Sequence, residues 1–393
     1  MALLALSIAP EARAQGRPIL PSSRVFVVGP LSLYPQIGLR DVGTDSNVYN
    51  DPARERSDFR YSVIPRMFAI VPLGNTRFVG TGTGELVYFR TYEDQRSLTG
   101  LFDARYEVTS PGWRPFVSVG FVARGERVGF EIDSRARHTQ TTMTAGTDVD
   151  LTAVSALTVW VGRSATAYED DERYLSFMLA DQLNHRRDTV SVGARFRVTP
   201  LTTVLIAAAL EHDRFDRSPR RNADGFRVEP GVAFDSGASI TGDAKGGFRS
   251  FGPLDPAVAD YRGFVGSARL HYSLPDVIRL DFEANHDIAY SYDALQPYYL
   301  ESGGRFTVTQ RVVGALEAIG IVERREIRNQ RIGGMSFDGR REVTTAFGGG
   351  VGIQLNTQLH VALTYEQTQR ISTEPVGRNY ERTRVLGSIN YGL

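Results

Sequence analysis

The side chains that could do chemistry fall into a few groupings. His271-Tyr272-Ser273 puts a histidine and a serine on one side of an extended segment, the types that a nucleophile and its base require. No third group is recognisable to orient the histidine. Arg269 shares that side, so the pair faces water, whereas a lipid-cleaving nucleophile must face lipid. No enzymatic activity is expected. Glu169-Asp170-Asp171-Glu172 is a run of carboxylates that could hold a divalent cation, but a solvated loop accounts for it. Asp41, Asp45, Asn47, Asn50 and Asp51 offer oxygen ligands, yet lack the glycine and distal glutamate of a calcium loop. Asx turns explain them equally well. Gly348-Gly349-Gly350 has neither the lysine nor the following helix of a phosphate loop. Cysteine is absent, and the histidines show no ligand spacing. No metal or cofactor is expected. With 45 basic and 45 acidic residues, the chain lacks the basic excess of a nucleic-acid binder.

The remaining charge is better organised. Near Val277, Ile278, Leu280, Phe282 and Ala284 alternate with Arg279, Asp281 and Glu283. Further on, Leu359, Val361, Leu363 and Tyr365 take one face, and His360, Ala362, Thr364 and Glu366 the other. Period-two alternation means strands with one face in water and one against apolar material. The same reading puts Arg77 and Glu85, then Asp103 and Glu107, on polar faces. A guanidinium on a lipid face costs roughly 2–4 kcal/mol at the bilayer midplane. Arg105, Arg163, Arg195, Arg197, Arg269, Arg279, Asp281 and Glu283 are therefore expected to line an aqueous lumen. There they would brace the wall as ion pairs or set which solute passes. Their mixed sign implies weak ion selectivity.

The elements that must position these residues are strands throughout. Hydrophobic content is 41% and mean hydropathy is −0.23, values shared by soluble proteins and transmembrane barrels. No run of about eighteen apolar residues offers a helical span. Short turns fall at 72–75, 110–113, 199–202, 235–238, 274–277 and 356–358. Longer charged connections fall between them, at 43–57, 128–137, 169–182, 214–224, 328–341 and 372–382. Outer-membrane barrels show that asymmetry, with long outer loops and short periplasmic turns. The expected fold is all-β: a transmembrane antiparallel up-and-down barrel of about 18 strands, each about ten to fifteen residues long. It occupies residues 30–393 as one domain in the bacterial outer membrane. An even strand count puts both ends in the periplasm. A propeller would share the repeat of about forty residues, but neither Trp113 nor Trp160 is followed by aspartate.

The ends carry addresses. Residues 1–15 have the apolar stretch and the Ala12-Arg13-Ala14 cleavage pattern of a signal-peptide remnant, which implies export. Residues 16–29 then form a periplasmic lead. Val385, Gly387, Ile389, Tyr391 and Leu393 share one face. They resemble the terminal signal read by the barrel assembly machinery, although Leu393 stands where an aromatic residue is usual. Expected partners are that machinery, outer-membrane lipid and lipopolysaccharide, with no nucleic acid.

Asp45-Ser46-Asn47-Val48-Tyr49, followed by Ser57-Asp58-Phe59 and a mid-strand Pro65, resembles the opening of the putative β-barrel porin 2 family. Members often sit in exopolysaccharide loci. The resemblance therefore implies a passage for secreted polysaccharide, working with a periplasmic export partner. On the residues alone, a general diffusion porin for small solutes and a non-conducting structural or adhesive barrel stay open.

Overall fold

The computed structural model describes residues 26–125, 131–235, 237–335, 337–356, 359–373 and 378–391. The signal-peptide remnant and Leu393 lie outside them. A short strand β1 (Phe26–Val28) pairs back on the start of β2 (Leu31–Asp45), so the expected lead ends as part of the wall. There follow β3 (Asp58–Leu73), β4 (Thr76–Phe89), β5 (Ser97–Val108), β6 (Trp113–Arg124), β7 (His138–Asp150) and β8 (Ser155–Tyr168). The next connection holds β9 (Arg173–Tyr174), β10 (Phe177–Met178) and the short helix α1 (Leu179–Leu183). The wall resumes with β11 (His185–Thr199), β12 (Thr202–Phe215), β13 (Ala223–Phe234), β14 (Ile240–Pro253) and β15 (Tyr261–Leu274). It ends with β16 (Ile278–Tyr290), β17 (Tyr298–Val313), β18 (Leu316–Gln330), β19 (Arg341–Asn356), β20 (Leu359–Ser372) and β21 (Tyr380–Tyr391).

Strands β2–β8 and β11–β21 make eighteen, each antiparallel to its sequence neighbour. β21 pairs with β2 from Ile37↔Tyr391 to Asp45↔Arg384, which closes the barrel and leaves no free edge. The closing seam carries a bulge between Leu39 and Val42. Asp41 sits in it at φ 58, and Arg60 donates to its carboxylate at 2.9 Å.

Loop length sorts cleanly by end. The fully described turns at one end run from two residues (74–75) to four (109–112). At the other end the connections run from seven residues (90–96) to sixteen (169–184). Gly74, at φ 62, supplies the left-handed residue that a two-residue hairpin turn needs. Both described chain ends lie at the short-turn end.

The outward face is an apolar band. On β11 it runs Val190, Val192, Ala194, Phe196, Val198, and on β12 Val204, Ile206, Ala208, Leu210. Nine residues from Val190 to Val198 give roughly 23 Å of height, at about 3.4 Å per residue and the ~40° tilt usual for such barrels. That matches a hydrocarbon core. Above it, toward the long loops, the same face turns charged at Asp188, His212 and Asp224. No helix among the described residues is long and apolar enough to cross a membrane.

Candidate functional site: a lumen open at one end and packed at the other

The register assigns each side chain to a face. Pairing runs from Arg105 through Ser118, Thr144, Gly162 and Thr189 to Glu211, whose carboxylate is buried. Arg105, Arg195 and Arg197 therefore point inward. Continuing through Phe251 and Tyr261 places Arg269 inward, and with it Arg279, Asp281 and Glu283. Arg163 does not join them. It shares its face with Val159 and Val161, both exposed on the outside. There it meets Asp188 of β11, with Nε 2.6 Å from Oδ1. The sequence reading assigned Arg163 by its charge. The apolar residues two and four positions before it give its true face.

The short-turn half of the lumen is open along β15 and β16, while Glu107, Asp148 and Glu317 in it are buried in ion pairs. Arg105 donates to Glu107 at 2.7 Å, and Glu107 also accepts from Arg77. Arg105 and Arg195 converge on Asp148, each at 3.4 Å. Arg269 lies 3.8 Å from Glu283, and His271 bonds Asp281 at 2.7 Å. Arg279 reaches Glu317 at 2.8 Å, and His360 approaches the same carboxylate oxygen at 3.1 Å. The Arg269 and Asp281 side chains keep 52% and 53% exposure despite facing the interior. A cavity of about 540 Å³ opens here between Ser273, Arg279, Thr309, Glu317, Gln354 and His360. Ser273 and His271 are inward, and no hydrogen bond joins them among the described residues, so the nucleophile–base pairing is not formed.

The long-loop half is filled. Arg249, only 2% exposed, bridges Glu211 at 2.8 Å and Asp287 at 2.5 Å. Arg227 binds the same two carboxylates at 2.9 and 3.2 Å. Arg325 links Glu323 at 2.6 Å to Glu301 at 3.3 Å. Removed from water, such charges persist only when fully paired. Above them the loops fold over the bore. The upper end of β16 leans in, so that Tyr290 donates to Asp213 at 2.7 Å and packs edge-on against Phe215.

The tip that follows, residues 291–297, is the hub of this packing. Arg221, from the loop after β12, donates to the carbonyls of Ser291, Asp293 (2.7 Å) and Pro297 (3.0 Å). Burial pulls its guanidinium down to about 10, which leaves it charged at neutral pH. Tyr292 stacks edge-on against Tyr174 with centroids 4.8 Å apart, and its hydroxyl accepts from Arg340 (2.8 Å) and Arg378. Glu131 reaches the same point from the loop between β6 and β7. It accepts from Ser291 Oγ (2.6 Å), Tyr292 N (3.1 Å), Asn329 Nδ2 (3.1 Å) and Arg340. Glu342 then ties Arg340, Arg370 and Arg378 together. Ile132, Ala136, Leu179, Ala180 and Leu183 give the plug an apolar core.

The oxygen-rich clusters have protein partners of their own. Arg137 lies among Glu169 (2.9 Å), Asp171 (3.0 Å) and Glu172 (2.7 Å), filling the place a cation would take. Asp51 caps the amides of Ala53 and Arg54 in an Asx turn, and Asp45 pairs with Arg382. The residues that sequence reasoning passed over are Glu131, Arg221, Tyr292, Arg340 and Arg378. One signal was available: Ile132, Tyr174, Phe177 and Leu179 are too apolar for loops that only face solvent.

A closed eighteen-strand barrel with an apolar belt, a charged lumen and loops folded into its bore is a porin-type channel protein of the bacterial outer membrane. The sequence places it further. The model of the putative β-barrel porin 2 family matches residues 26–391, and the chain belongs to that family. Among solved structures it is similar to the outer membrane protein OpdK of Pseudomonas aeruginosa, with 11% identity and a TM-score of 0.50, covering 91% of this chain and 98% of that one. OccK9 (OpdG) of the same organism gives 10% identity and a TM-score of 0.49 over 91% and 98% of the two chains. A BenF-like porin of Pseudomonas fluorescens Pf-5 gives 11% and 0.48 over 92% and 99%. A search of curated proteins finds no match.

Proposed function

We propose that this protein is a diffusion channel for small polar solutes whose resting state is narrowed by its own loops. The observation that carries this reading is the contrast along the bore. The short-turn vestibule is charged and open along β15 and β16, while the long-loop half is bridged by side chains from at least six connections. Mixed charge in the vestibule, Arg105, Arg195, Arg197, Arg269 and Arg279 against Asp148, Asp281 and Glu283, suits small polar solutes of either sign. The polymer exit implied by the family resemblance has no supporting residue in the lumen. An extended polysaccharide needs a continuous bore, and the packed half offers the least room for one. Planar-bilayer recording of the purified protein tests the reading. Small or intermittent conductance steps are expected, growing when the 291–297 tip is shortened. Silence from both proteins would favour a non-conducting barrel that uses its loops for binding.

A further inference from the structure

On the outward face of β18, Leu316, Ala318, Gly320 and Val322 run up from the short-turn end, and then Arg324, Glu326 and Arg328 take over. Arg328 lies directly opposite Arg341 of β19 in the register. Both guanidiniums use Nε to bind one oxygen of Glu326, at 2.7 and 2.9 Å. Glu326 is mostly covered, whereas the two arginines stay half exposed. The carboxylate thus holds two half-exposed guanidinium groups side by side through their Nε atoms. Arg324 adds a third guanidinium two positions below, exposed and in no ion pair among the described residues.

The charge here is lopsided: three cations on one carboxylate. At two other places along the rim the outward charges balance, Arg163 with Asp188 and Arg214 with Asp224. The next outward carboxylate beyond β19, Glu381 on β21, accepts instead from Gln369 at 3.2 Å. Immediately below the patch lie Val322 and Phe347, each about half exposed on the lipid face. A ligand here must carry concentrated negative charge above and acyl chain below. Forked guanidiniums match phosphate oxygens bidentately, and a phosphate monoester brings more negative charge to three cations than a single carboxylate does.

We propose that Arg324, Arg328 and Arg341 form a site for the phosphorylated sugar headgroup of an outer-leaflet glycolipid, with its acyl chains on Val322 and Phe347 and Glu326 as the positioning residue. The site is independent of the lumen, so channel activity is a separate readout.

The test uses the full-length barrel, purified in detergent and checked for heat-modifiable migration. Binding of lipopolysaccharide is titrated against the triple variant Arg324→Gln, Arg328→Gln, Arg341→Gln, and against a control pair, Arg163→Gln with Arg214→Gln. The triple variant should lose about tenfold or more in affinity, in line with three surface arginines near an anionic headgroup. The control pair should lose less than about threefold. Lipopolysaccharide stripped of its phosphates should bind the native protein like the triple variant. Glu326→Gln, which frees the forks but leaves every cation, should also weaken binding; a purely electrostatic patch would instead gain. Equal loss in control and triple variants, or equal competition by phosphatidylglycerol vesicles, would overturn the site and leave a generic anionic surface.

Discussion

The two halves of the lumen are built from the same alphabet and behave differently. Near the short turns, Arg269 with Glu283 and His271 with Asp281 lie along the wall between neighbouring strands. The space in front of them is open, and Arg269 and Asp281 keep about half their surface exposed. Near the long loops, Arg249 reaches from β14 past its neighbours to β12 and β16, and Glu131 touches residues 160 and more positions away in the chain. The charges do not differ in kind. In both halves wall strands exchange pairs past a neighbour, as Arg195 with Asp148 below and Arg249 with Glu211 above. What differs is that the upper half adds charges carried by the connections, Glu131, Arg221, Arg340 and Arg378, which are paired inside the bore and obstruct it. The lower half is the part of the lumen that a solute meets open, and the upper half is the part that must yield.

That contrast breaks first at the hub. Replacing residues 292–296 by a short glycine linker removes the Tyr292 ring and hydroxyl together and takes away much of what Arg221 and Glu131 hold. Conductance should rise several-fold, with the barrel still heat-modifiable, because the strand pairs β16–β17 up to Tyr290↔Tyr298 remain. Unchanged conductance would mean the packed half is not the narrow part.

A smaller effect is expected at Glu131, and the choice of substitution matters. Glu131→Ala removes the acceptor of the Ser291 hydroxyl and the Tyr292 amide and one of the partners of Asn329 and Arg340, which keep Ser291 and Glu342, at about 1–3 kcal/mol for each buried group left without a partner. Glu131→Gln keeps an acceptor and should cost far less. Burial pushes the Glu131 carboxyl above its usual range, outweighing the pull of Arg340, which is shared with Glu342. The packed state therefore binds a proton more readily than an opened loop would. Its extra stability is fully present below the ordinary carboxyl value of about 4.5 and fades as pH rises through the raised one. Open probability should fall as the bath is acidified across that interval, and Glu131→Gln should flatten the dependence. A pH-independent native channel would remove Glu131 from the closing contact.

Next in size is selectivity. Arg197→Glu together with Arg195→Glu reverses charge in the short-turn half only. Arg195 is mostly covered and bound to Asp148, while Arg197 has no ion pair among the described residues. The pair should shift reversal potentials toward cations with the barrel intact. Lost assembly with unchanged selectivity would show that these arginines brace the wall.

The sequence carried the wall far better than the plug, for a physical reason. Alternation is enforced by lipid at every strand, so Ile278-Arg279-Leu280-Asp281 could be assigned without any partner in view. The plug depends on contacts between distant loops. Nothing in Ser291-Tyr292-Asp293 marks it as the hub, and that connection passed unremarked among the loops. The run Glu169–Glu172 was legible as charged but not as a docking surface for Arg137, 35 residues away from Glu172. Alternation places even Arg163 on the outward face of Val159 and Val161; the reading missed it because charge was weighed above the phase of the strand.

The smallest predicted effect concerns that residue. Arg163 lies one outward position above Val161, level with Asp188, where the apolar band gives way to the charged rim. Arginine on the lipid face costs roughly 0–1 kcal/mol near the interface, against roughly 2–4 at the midplane. A solvent-exposed pair with Asp188 returns little, because water screens it. The two nearly cancel, so Arg163→Leu should leave stability, conductance and selectivity close to those of the native protein. Position settles the face independently of energy. A fluorophore on Arg163→Cys should be quenched by nitroxide-bearing lipid and shielded from iodide in the lumen. The same fluorophore on Arg197→Cys should show the opposite pattern. Matching behaviour at the two sites would put Arg163 back inside the pore, and with it the phase of β8.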